Sequence, residues 1–179
     1  IEVQLNINLI CYLSVMKKCL IVLLTLSSFI SYGQNLYINE IVASNNLDQM
    51  DEFFEYDDWV EIYNSGGIIN LAGCYLSDDP NILTKYLIPA TNAGLTTALP
   101  NSHIIFWCDN DDLTQGENHT NFTLKSGGET VFLTAPDGVT IMDSVTYAPL
   151  ASDISYGRTC DGCPDWQYFN NTTWDAPNQ

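Results

Sequence analysis

The sequence predicts an all-β protein, built as a sandwich or a barrel, and two observations carry this prediction. From residue 34 onward the chain has short runs rich in Val, Ile, Tyr, Phe and Thr, which favour strands. Gly, Asn, Asp and Pro separate these runs, and no long apolar stretch in this region has helical periodicity. Many short strands with frequent turns are typical of two packed sheets or of one closed sheet.

Eight runs are long enough to be strands, and the turn residues between them set their limits. The predicted strands cover residues 36–43, 58–64, 71–77, 84–88, 102–108, 120–125, 129–134 and 139–147. Asp137-Gly138 suits a tight turn, so the last two strands should form a hairpin. The Asn-rich residues 170–179 lack a strand pattern, and we interpret them as a domain exit or linker.

Alternation within residues 58–64 predicts which side chains enter the core. Val60 and Ile62 share one face of the strand, whereas Trp59 and Tyr63 share the other. We therefore expect the two aliphatic residues to pack inside and the two aromatic residues to cover the outer face of the sheet.

Residues 16–33 have the pattern of a secretory signal peptide. Two lysines follow Met16, residues 19–30 are apolar, and small residues precede a cleavage position after Gly33. The apolar run is short for a bilayer span, although a membrane anchor is the alternative interpretation. We expect a secreted, periplasmic or cell-surface protein whose mature chain has no transmembrane span.

Residues 34–179 then form one mature domain, with its core predicted over 36–148, and residues 1–15 are upstream sequence. The mature part has three basic residues against 21 acidic ones, which gives a net charge of −18. Such a domain repels DNA, RNA and anionic lipid, so a nucleic-acid partner is not expected. An acidic surface instead favours cations, basic partners or simple solubility.

Four of the six cysteines remain after removal of the signal segment, and an even number in an exported chain indicates disulfides. Three pairings are possible. We favour Cys74–Cys108, because strand alternation points both side chains into the core. The second bond, Cys160–Cys163, rests on proximity and would close a small turn; a redox motif or half of a metal site are the alternatives.

The clearest candidate site is an acidic segment before the second predicted strand, together with an acidic loop at residues 109–112. Oxygen-rich loops suit Ca²⁺, which takes about six to eight oxygen ligands. The candidate ligands are Asp48, Asp51, Glu52, Asp57, Asp58, Asp109, Asp111 and Asp112. The alternative is unpaired solubilising charge in loops. We interpret His119 as a structural residue at a strand edge.

Catalysis is not expected from the sequence. It has no Gly-x-Ser-x-Gly motif, and abundant carboxylates are no evidence for a catalytic pair without their placement. Aromatic residues in loops and in the tail suggest either a platform that stacks on sugars or caps on the ends of the core. These residues are Phe53, Phe54, Tyr56, Trp166, Tyr168, Phe169 and Trp174.

A series of short motifs, in order along the chain, carries a family resemblance. The motifs are Asn39-Glu40-Ile41, Asp58-Trp59-Val60-Glu61-Ile62-Tyr63-Asn64, Leu71-Ala72-Gly73, Ile104-Ile105-Phe106-Trp107, His119-Thr120-Asn121-Phe122 and Ser155-Tyr156-Gly157-Arg158. Their order and spacing resemble the lamin tail domain family, in particular its branch of secreted bacterial proteins. The resemblance implies an immunoglobulin-like β-sandwich. The chain departs from the family at Cys74, where Trp is common.

The resemblance also implies a non-enzymatic module that binds or tethers, in the envelope or outside the cell, and that usually accompanies other domains of a longer protein. We expect a monomeric module whose partner is a cell-surface protein or glycan that the sequence does not identify. The alternatives are a Ca²⁺-dependent adhesive or carbohydrate-binding domain and an accessory domain of a secreted hydrolase. Arg158 should be structural, with its guanidinium forked onto a carboxylate or backbone carbonyls.

Overall fold

The computed structural model describes residues 35–111 and 114–179, so the predicted signal segment 16–33 and Asp112 lie outside the described residues. The described part is almost entirely β-structure, with one short helix. The strands are β1 Leu36–Val42, β2 Asp58–Asn64, β3 Ile69–Asn70, β4 Tyr75–Ser77, β5 Tyr86–Leu87, β6 Thr97–Ala98, β7 Ser102–Cys108, β8 Thr130–Thr134, β9 Ile141–Thr146, β10 Ser155–Arg158 and β11 Trp166–Phe169, and helix α1 is Ala93–Thr96.

Two antiparallel sheets form the two layers of the molecule. One sheet has five strands in the order β11-β10-β1-β2-β7, and the other has four in the order β5-β4-β8-β9. A single apolar cluster joins them, with Ile38, Val60 and Phe106 from the five-stranded sheet and Leu76 and Leu133 from the four-stranded one. The structure therefore confirms an all-β sandwich. Strands β3 and β6 form a small separate pair.

A β-bulge in β1 determines which of its side chains leave the core. The register with β2 shifts between Ile38 and Glu40, which inserts an extra residue and reverses the alternation. Leu36, Ile38 and Ile41 consequently all enter the core. Asn39 and Glu40 belong instead to the outer face of the five-stranded sheet, where both side chains are nevertheless buried.

Two of the predicted strands, 58–64 and 102–108, agree with β2 and β7 at both ends. The predicted strand 120–125 is wrong. Its apolar residues Phe122 and Leu124 are buried, but only isolated bridges connect this region to the sheet, from His119 to Trp107 and from Thr123 to Asp109. Burial of alternate side chains therefore occurs here without a hydrogen-bonded ladder.

Residues 172–178 pack against the domain, so the interpretation of this stretch as an exit or linker is wrong. Strands β10 and β11 lie beyond the predicted core of 36–148 and extend the five-stranded sheet. Residues 172–178, which we name the C-terminal segment, then return over the outer face of that sheet. Asn178 is buried there and donates hydrogen bonds to the carbonyls of Asn39 and Arg158.

None of the helical structure within the described residues is long and apolar enough to span a membrane.

Candidate functional site

An open groove lies on the outer face of the five-stranded sheet. Its volume is about 490 Å³, and its apolar lining includes Leu95 of α1, Ile105 and Trp107 of β7, and Trp174 of the C-terminal segment. The rings of Trp107 and Trp174 are 6.5 Å apart and tilted by 32°. Asp51, Glu52 and Asp175 add carboxylates to the lining. The groove thus combines an apolar surface with acidic groups.

The loop before β2 brings several acidic side chains to one end of this groove. Asp51 is buried, and its Oδ1 accepts hydrogen bonds of 2.8 Å from the backbone N–H groups of Phe53 and Glu55. These bonds fix the carboxylate within its own loop. Its Oδ2 is also buried, and no hydrogen-bond partner for this atom occurs among the described residues.

Four acidic residues crowd together in this loop, and Asp57 shows the electrostatic consequence. Burial, followed by the charges of Asp109, Asp51 and Glu55, raises the pKa of Asp57 to about 6. Its Oδ2 is a second buried oxygen that lacks a hydrogen-bond partner in the described part of the chain. The cluster therefore holds more negative charge than its protein neighbours neutralise.

His119 faces the same cluster from the chain segment that follows β7. The residue is fully buried, and its Nδ1 is hydrogen-bonded to the carboxylate of Asp109. Its Nε2 lies 3.4 Å from Oε1 of Glu52 but has no hydrogen bond of good geometry within the described residues. Burial lowers the pKa of His119, but the hydrogen bond and charge of Asp109, together with the nearby Glu52, raise it above its ordinary value.

The predicted calcium ligands therefore separate into two groups. Asp51, Glu52 and Asp57 meet in the loop, and the structure adds Glu55 and His119 to them: ligand atoms of Asp51, Glu52 and His119, and likewise those of Asp51, Glu55 and Asp57, lie within 4.8 Å of one another. Asp109 contacts Nδ1 of His119, the ring nitrogen that faces away from the loop. The sequence missed His119 because its approach to the loop depends on tertiary pairing with Trp107 rather than on a local motif.

The remaining predicted ligands have other contacts. Asp48 accepts a 2.8 Å hydrogen bond from the Thr172 hydroxyl. Asp58 accepts one of 3.0 Å from the backbone N–H of Asn45. Asp111 accepts one of 2.9 Å from the Gln115 amide, which also donates to Glu55. Asp48 and Asp58 thus contribute to the packing of loops, whereas Asp111 connects indirectly to the cluster.

Two buried carboxylates, Glu40 and Glu61, lie beneath the C-terminal segment. Glu40 accepts hydrogen bonds from the hydroxyl groups of Ser155 and Thr173. Glu61 accepts bonds of 2.9 Å from the Asn39 amide and 3.0 Å from the backbone N–H of Asp175. Burial raises the pKa of both groups, that of Glu61 to about 8. They are the main titratable groups under the segment, and sequence reasoning did not identify them.

Arg158 is buried and joins three parts of the sandwich. Its Nε donates to the carbonyl of Ile38 and its Nη2 to Asp143, each at 2.8 Å, and its Nη1 donates to the carbonyl of Cys163. The guanidinium also lies 4.8 Å from the centre of the Trp166 ring. These contacts with a carboxylate, two carbonyls and an aromatic ring hold the Arg158 side chain in place.

The cysteines follow the prediction only in part. The Cys160–Cys163 disulfide is present, with its Cα atoms 5.2 Å apart. The predicted Cys74–Cys108 disulfide is wrong, because both residues are buried free thiols. Strand alternation correctly placed both side chains in the core, but it does not determine their separation. Cys74 directly precedes β4 of one sheet, and Cys108 ends β7 of the other.

Two antiparallel sheets around one apolar core, with a groove on an outer face, define the protein as an immunoglobulin-like β-sandwich domain. A family model described as Lamin Tail Domain matches residues 31–149, and the chain belongs to this family. The family consists of non-enzymatic immunoglobulin-like domains. No curated protein and no solved structure matches the chain.

Proposed function

We propose that this lamin tail domain is a non-enzymatic binding or tethering module that acts in the cell envelope or outside the cell. The groove on the outer face of the five-stranded sheet is the observation that carries the proposal. It joins side chains from β7, α1, the acidic loop and the C-terminal segment into one open surface. An apolar floor with a few convergent polar groups is the usual form of a binding site.

Two further features support export. Residues 16–33 have the sequence pattern of a signal peptide. The Cys160–Cys163 disulfide suits an oxidising compartment. Together they support a location beyond the cytoplasmic membrane.

The proposal is tested by expressing the entire chain in a bacterial host and separating periplasm, envelope and medium. Mass spectrometry of the exported protein should give a species that begins at Gln34. A protein that stays in the cytoplasm with residues 16–33 attached would contradict export.

Tethering is tested on the same exported protein by sedimentation with isolated bacterial envelopes. We expect the wild-type domain to sediment, and Leu95→Asp to remain in solution, because Leu95 lines the groove and is 37% exposed. Val139→Asp is the matched control, since Val139 is 73% exposed and is not among the groove residues. Equal sedimentation of all three proteins would show that the groove is not the binding surface.

Carbohydrate binding is a second candidate, favoured specifically by the half-buried Trp174 in the groove, which packs beside the buried Trp107. Aromatic rings present apolar faces on which sugar rings stack. The carboxylates of Asp51, Glu52 and Asp175 in the lining favour neutral glycans over polyuronates. If the groove binds carbohydrate, the domain should therefore bind neutral polymers and not polyuronates.

Affinity electrophoresis in gels that contain a neutral soluble glucan or a polyuronate tests it. The neutral polymer should retard the exported domain, and Trp174→Ala should abolish the retardation. Tyr168→Ala is the control, because Tyr168 is an exposed aromatic residue on β11, at the opposite edge of the sheet from β7. Retardation by the polyuronate alone, or by neither polymer, would contradict the carbohydrate assignment.

A further inference from the structure

We propose that Asp51, Glu52 and His119 form a binding site for a divalent transition-metal ion of the zinc class at the end of the groove. The site is distinct from the all-oxygen calcium loops that the sequence predicts, because its ligand set contains an imidazole nitrogen. The inference is independent of whether the groove binds a glycan or a protein.

The first support is a pair of buried polar atoms that make no hydrogen bond within the described residues. Oδ2 of Asp51 and Nε2 of His119 are both inaccessible to solvent and lack hydrogen-bond partners there. Asp51 is 6% exposed and His119 is 0% exposed. A buried polar atom without a partner is costly, so such atoms commonly indicate an ion or water.

The second support is the orientation of His119. The carboxylate of Asp109 bonds to Nδ1 of the ring, which directs Nε2 toward Glu52 and Asp51. Metal-binding histidines characteristically have their other ring nitrogen hydrogen-bonded to a carboxylate, which fixes both tautomer and ring position. Asp109 is therefore a positioning residue for His119 and not a ligand.

The third support is the spacing of the ligand atoms. Two atoms bound at zinc distances to one tetrahedral ion lie roughly 3.3–3.4 Å apart. Nε2 of His119 and Oε1 of Glu52 are 3.4 Å apart. The nearest ligand atoms of all three residues lie within 4.8 Å of one another, so shortening any longer separation by about 1.5 Å or less would place all three around one ion.

The chemistry of the ligands selects the ion. Imidazole nitrogen suits Zn²⁺ and similar transition ions, whereas Ca²⁺ and Mg²⁺ bind oxygen almost exclusively. Three protein ligands leave a fourth position of a tetrahedral ion for water or for a group from a bound partner. Asp51 and Glu52 also line the groove, so an ion held here would lie at its edge.

The main competitor for this position is a proton. A protonated His119 would carry an N–H on Nε2 and could donate it to Glu52, which would hold the imidazolium between two carboxylates. Direct titration of the protein with metal distinguishes a metal site from this structural ion pair.

The exported full domain, treated with chelator and dialysed, is titrated by calorimetry with Zn²⁺, Co²⁺, Ca²⁺ and Mg²⁺. One equivalent of Zn²⁺ and one of Co²⁺ should bind, with Ca²⁺ and Mg²⁺ weaker by more than about tenfold. Bound Co²⁺ should give visible absorption bands of a four- or five-coordinate nitrogen–oxygen site. Calcium bound as tightly as zinc, or no stoichiometric binding of zinc, would overturn the proposal.

Variants assign the site to these residues. Glu52→Gln should weaken zinc binding by more than about tenfold, and the variant should fold because the Glu52 side chain is 50% exposed. His119→Gln should abolish the Co²⁺ bands. Asp165→Asn is the charge-matched control, because it removes an exposed acid in the β10–β11 connection at the far edge of the sheet, and it should bind zinc as the wild type does.

The two buried thiols provide a separate internal check. Zinc or cobalt bound to Cys74 or Cys108 would give an intense near-ultraviolet thiolate band with Co²⁺. That band, or zinc affinity unchanged in Glu52→Gln, would overturn the assignment to Asp51, Glu52 and His119. If circular dichroism shows that His119→Gln does not fold, the zinc affinity of Glu52→Gln relative to the wild type decides whether these residues form the site.

Discussion

Arg158 shows how one permanently charged side chain is retained inside the sandwich. Its three nitrogens each donate to a fixed oxygen, on Ile38, Cys163 and Asp143. Removal of one partner from a buried ion pair commonly costs about 3–5 kcal/mol, because the other partner is left without compensation. The Asp143 carboxylate and the two carbonyls would lose their donor together.

We therefore predict that Arg158→Ala lowers the melting temperature by on the order of 10 °C, measured by calorimetry. Lys125→Ala is the control and should change it little, because the Lys125 side chain is 66% exposed and exposed ion pairs contribute little. A melting temperature within about 1 °C of the wild type for Arg158→Ala would show that the buried contacts are energetically neutral.

Glu61 makes stability depend on pH in the opposite sense to an ordinary salt-bridged carboxylate. Burial raises its pKa from 4.5 in the unfolded chain to about 8 in the fold. Between these values the folded state keeps a proton that the unfolded state releases. This contribution to stability is complete below about pH 4.5 and is lost as the pH rises through about 8, at up to about 1.4 kcal/mol per pH unit.

The expected result is a melting temperature that falls between pH 5 and pH 8 in buffers with chelator. Glu61→Gln should flatten that fall, because an amide does not titrate. Glu117→Gln, which removes a partly exposed carboxylate, should keep the wild-type slope. A slope in Glu61→Gln as steep as that of the wild type would place the pH dependence on other groups.

Cys74 and Cys108 are thiols whose chemistry is suppressed by burial. Burial raises the pKa of Cys74 to about 11 and holds that of Cys108 well above its ordinary value. Since only the thiolate reacts, neither side chain should react with iodoacetamide in the native protein.

Peptide mapping after alkylation without reductant should show both of these cysteines modified in denaturant and neither in native buffer. Cys160 and Cys163 should react only after reduction, because they form the disulfide, and they serve as the internal control. Resistance of Cys74 and Cys108 to alkylation in denaturant would indicate that a disulfide joins the two.

At the scale of elements, the C-terminal segment covers the carboxyl groups of Glu40 and Glu61 on the outer face of the five-stranded sheet. Thr173 donates to Glu40, the backbone N–H of Asp175 donates to Glu61, and Asn178 binds two backbone carbonyls. Trp174 adds an apolar contact with Trp107. The segment has no regular structure, yet it satisfies polar groups that β1 and β2 bury.

Truncation after Asn171 should therefore destabilise the fold by several kcal/mol, since several buried hydrogen bonds and one tryptophan contact disappear together. Urea denaturation followed by fluorescence measures the change. Deletion of Gln179 alone is the control, because this residue is exposed. Equal unfolding midpoints for the two truncations would mean that residues 172–178 cover the sheet without adding to the free energy of unfolding.

Sequence reasoning located the elements with strong alternation and missed those whose position depends on the rest of the fold. Strand β2 was predicted to the residue because Val60 and Ile62 alternate with Trp59 and Tyr63. Strand β10 was missed because its four residues include Gly157. That glycine suits this place because an added Cβ would lie 2.9 Å from the Phe169 ring and 3.2 Å from the Asn178 amide.

Sequence reasoning grouped most of the candidate site but not its imidazole. Asp51, Glu52 and Asp57 share one loop, and Asp109 was assigned to the same site from the acidic loop after β7. His119 was not, because only the pairing of Trp107 with His119 brings its ring to that loop. A motif cannot display such a contact when more than 50 residues separate its members.

At the scale of the whole molecule, the net charge of −18 in residues 34–179 opposes the compact state. Folding brings many carboxylates within a Debye length of one another, and the three basic side chains cannot neutralise them. Added salt shortens that length from about 30 Å at 0.01 M to about 10 Å at 0.1 M, which weakens the repulsion in the folded state more than in the expanded one.

The domain should accordingly melt several degrees higher in 0.3 M NaCl than in 0.01 M NaCl at pH 8, measured by calorimetry. Chelator in every sample removes divalent ions, so that the rise reports screening rather than occupation of the site at Asp51. Sucrose at equal osmolarity is the control and should reproduce little of the change. A melting temperature that is flat in salt, or lower in 0.3 M NaCl, would mean that local pairs such as Arg158–Asp143 outweigh the repulsion, because screening weakens attraction and repulsion alike.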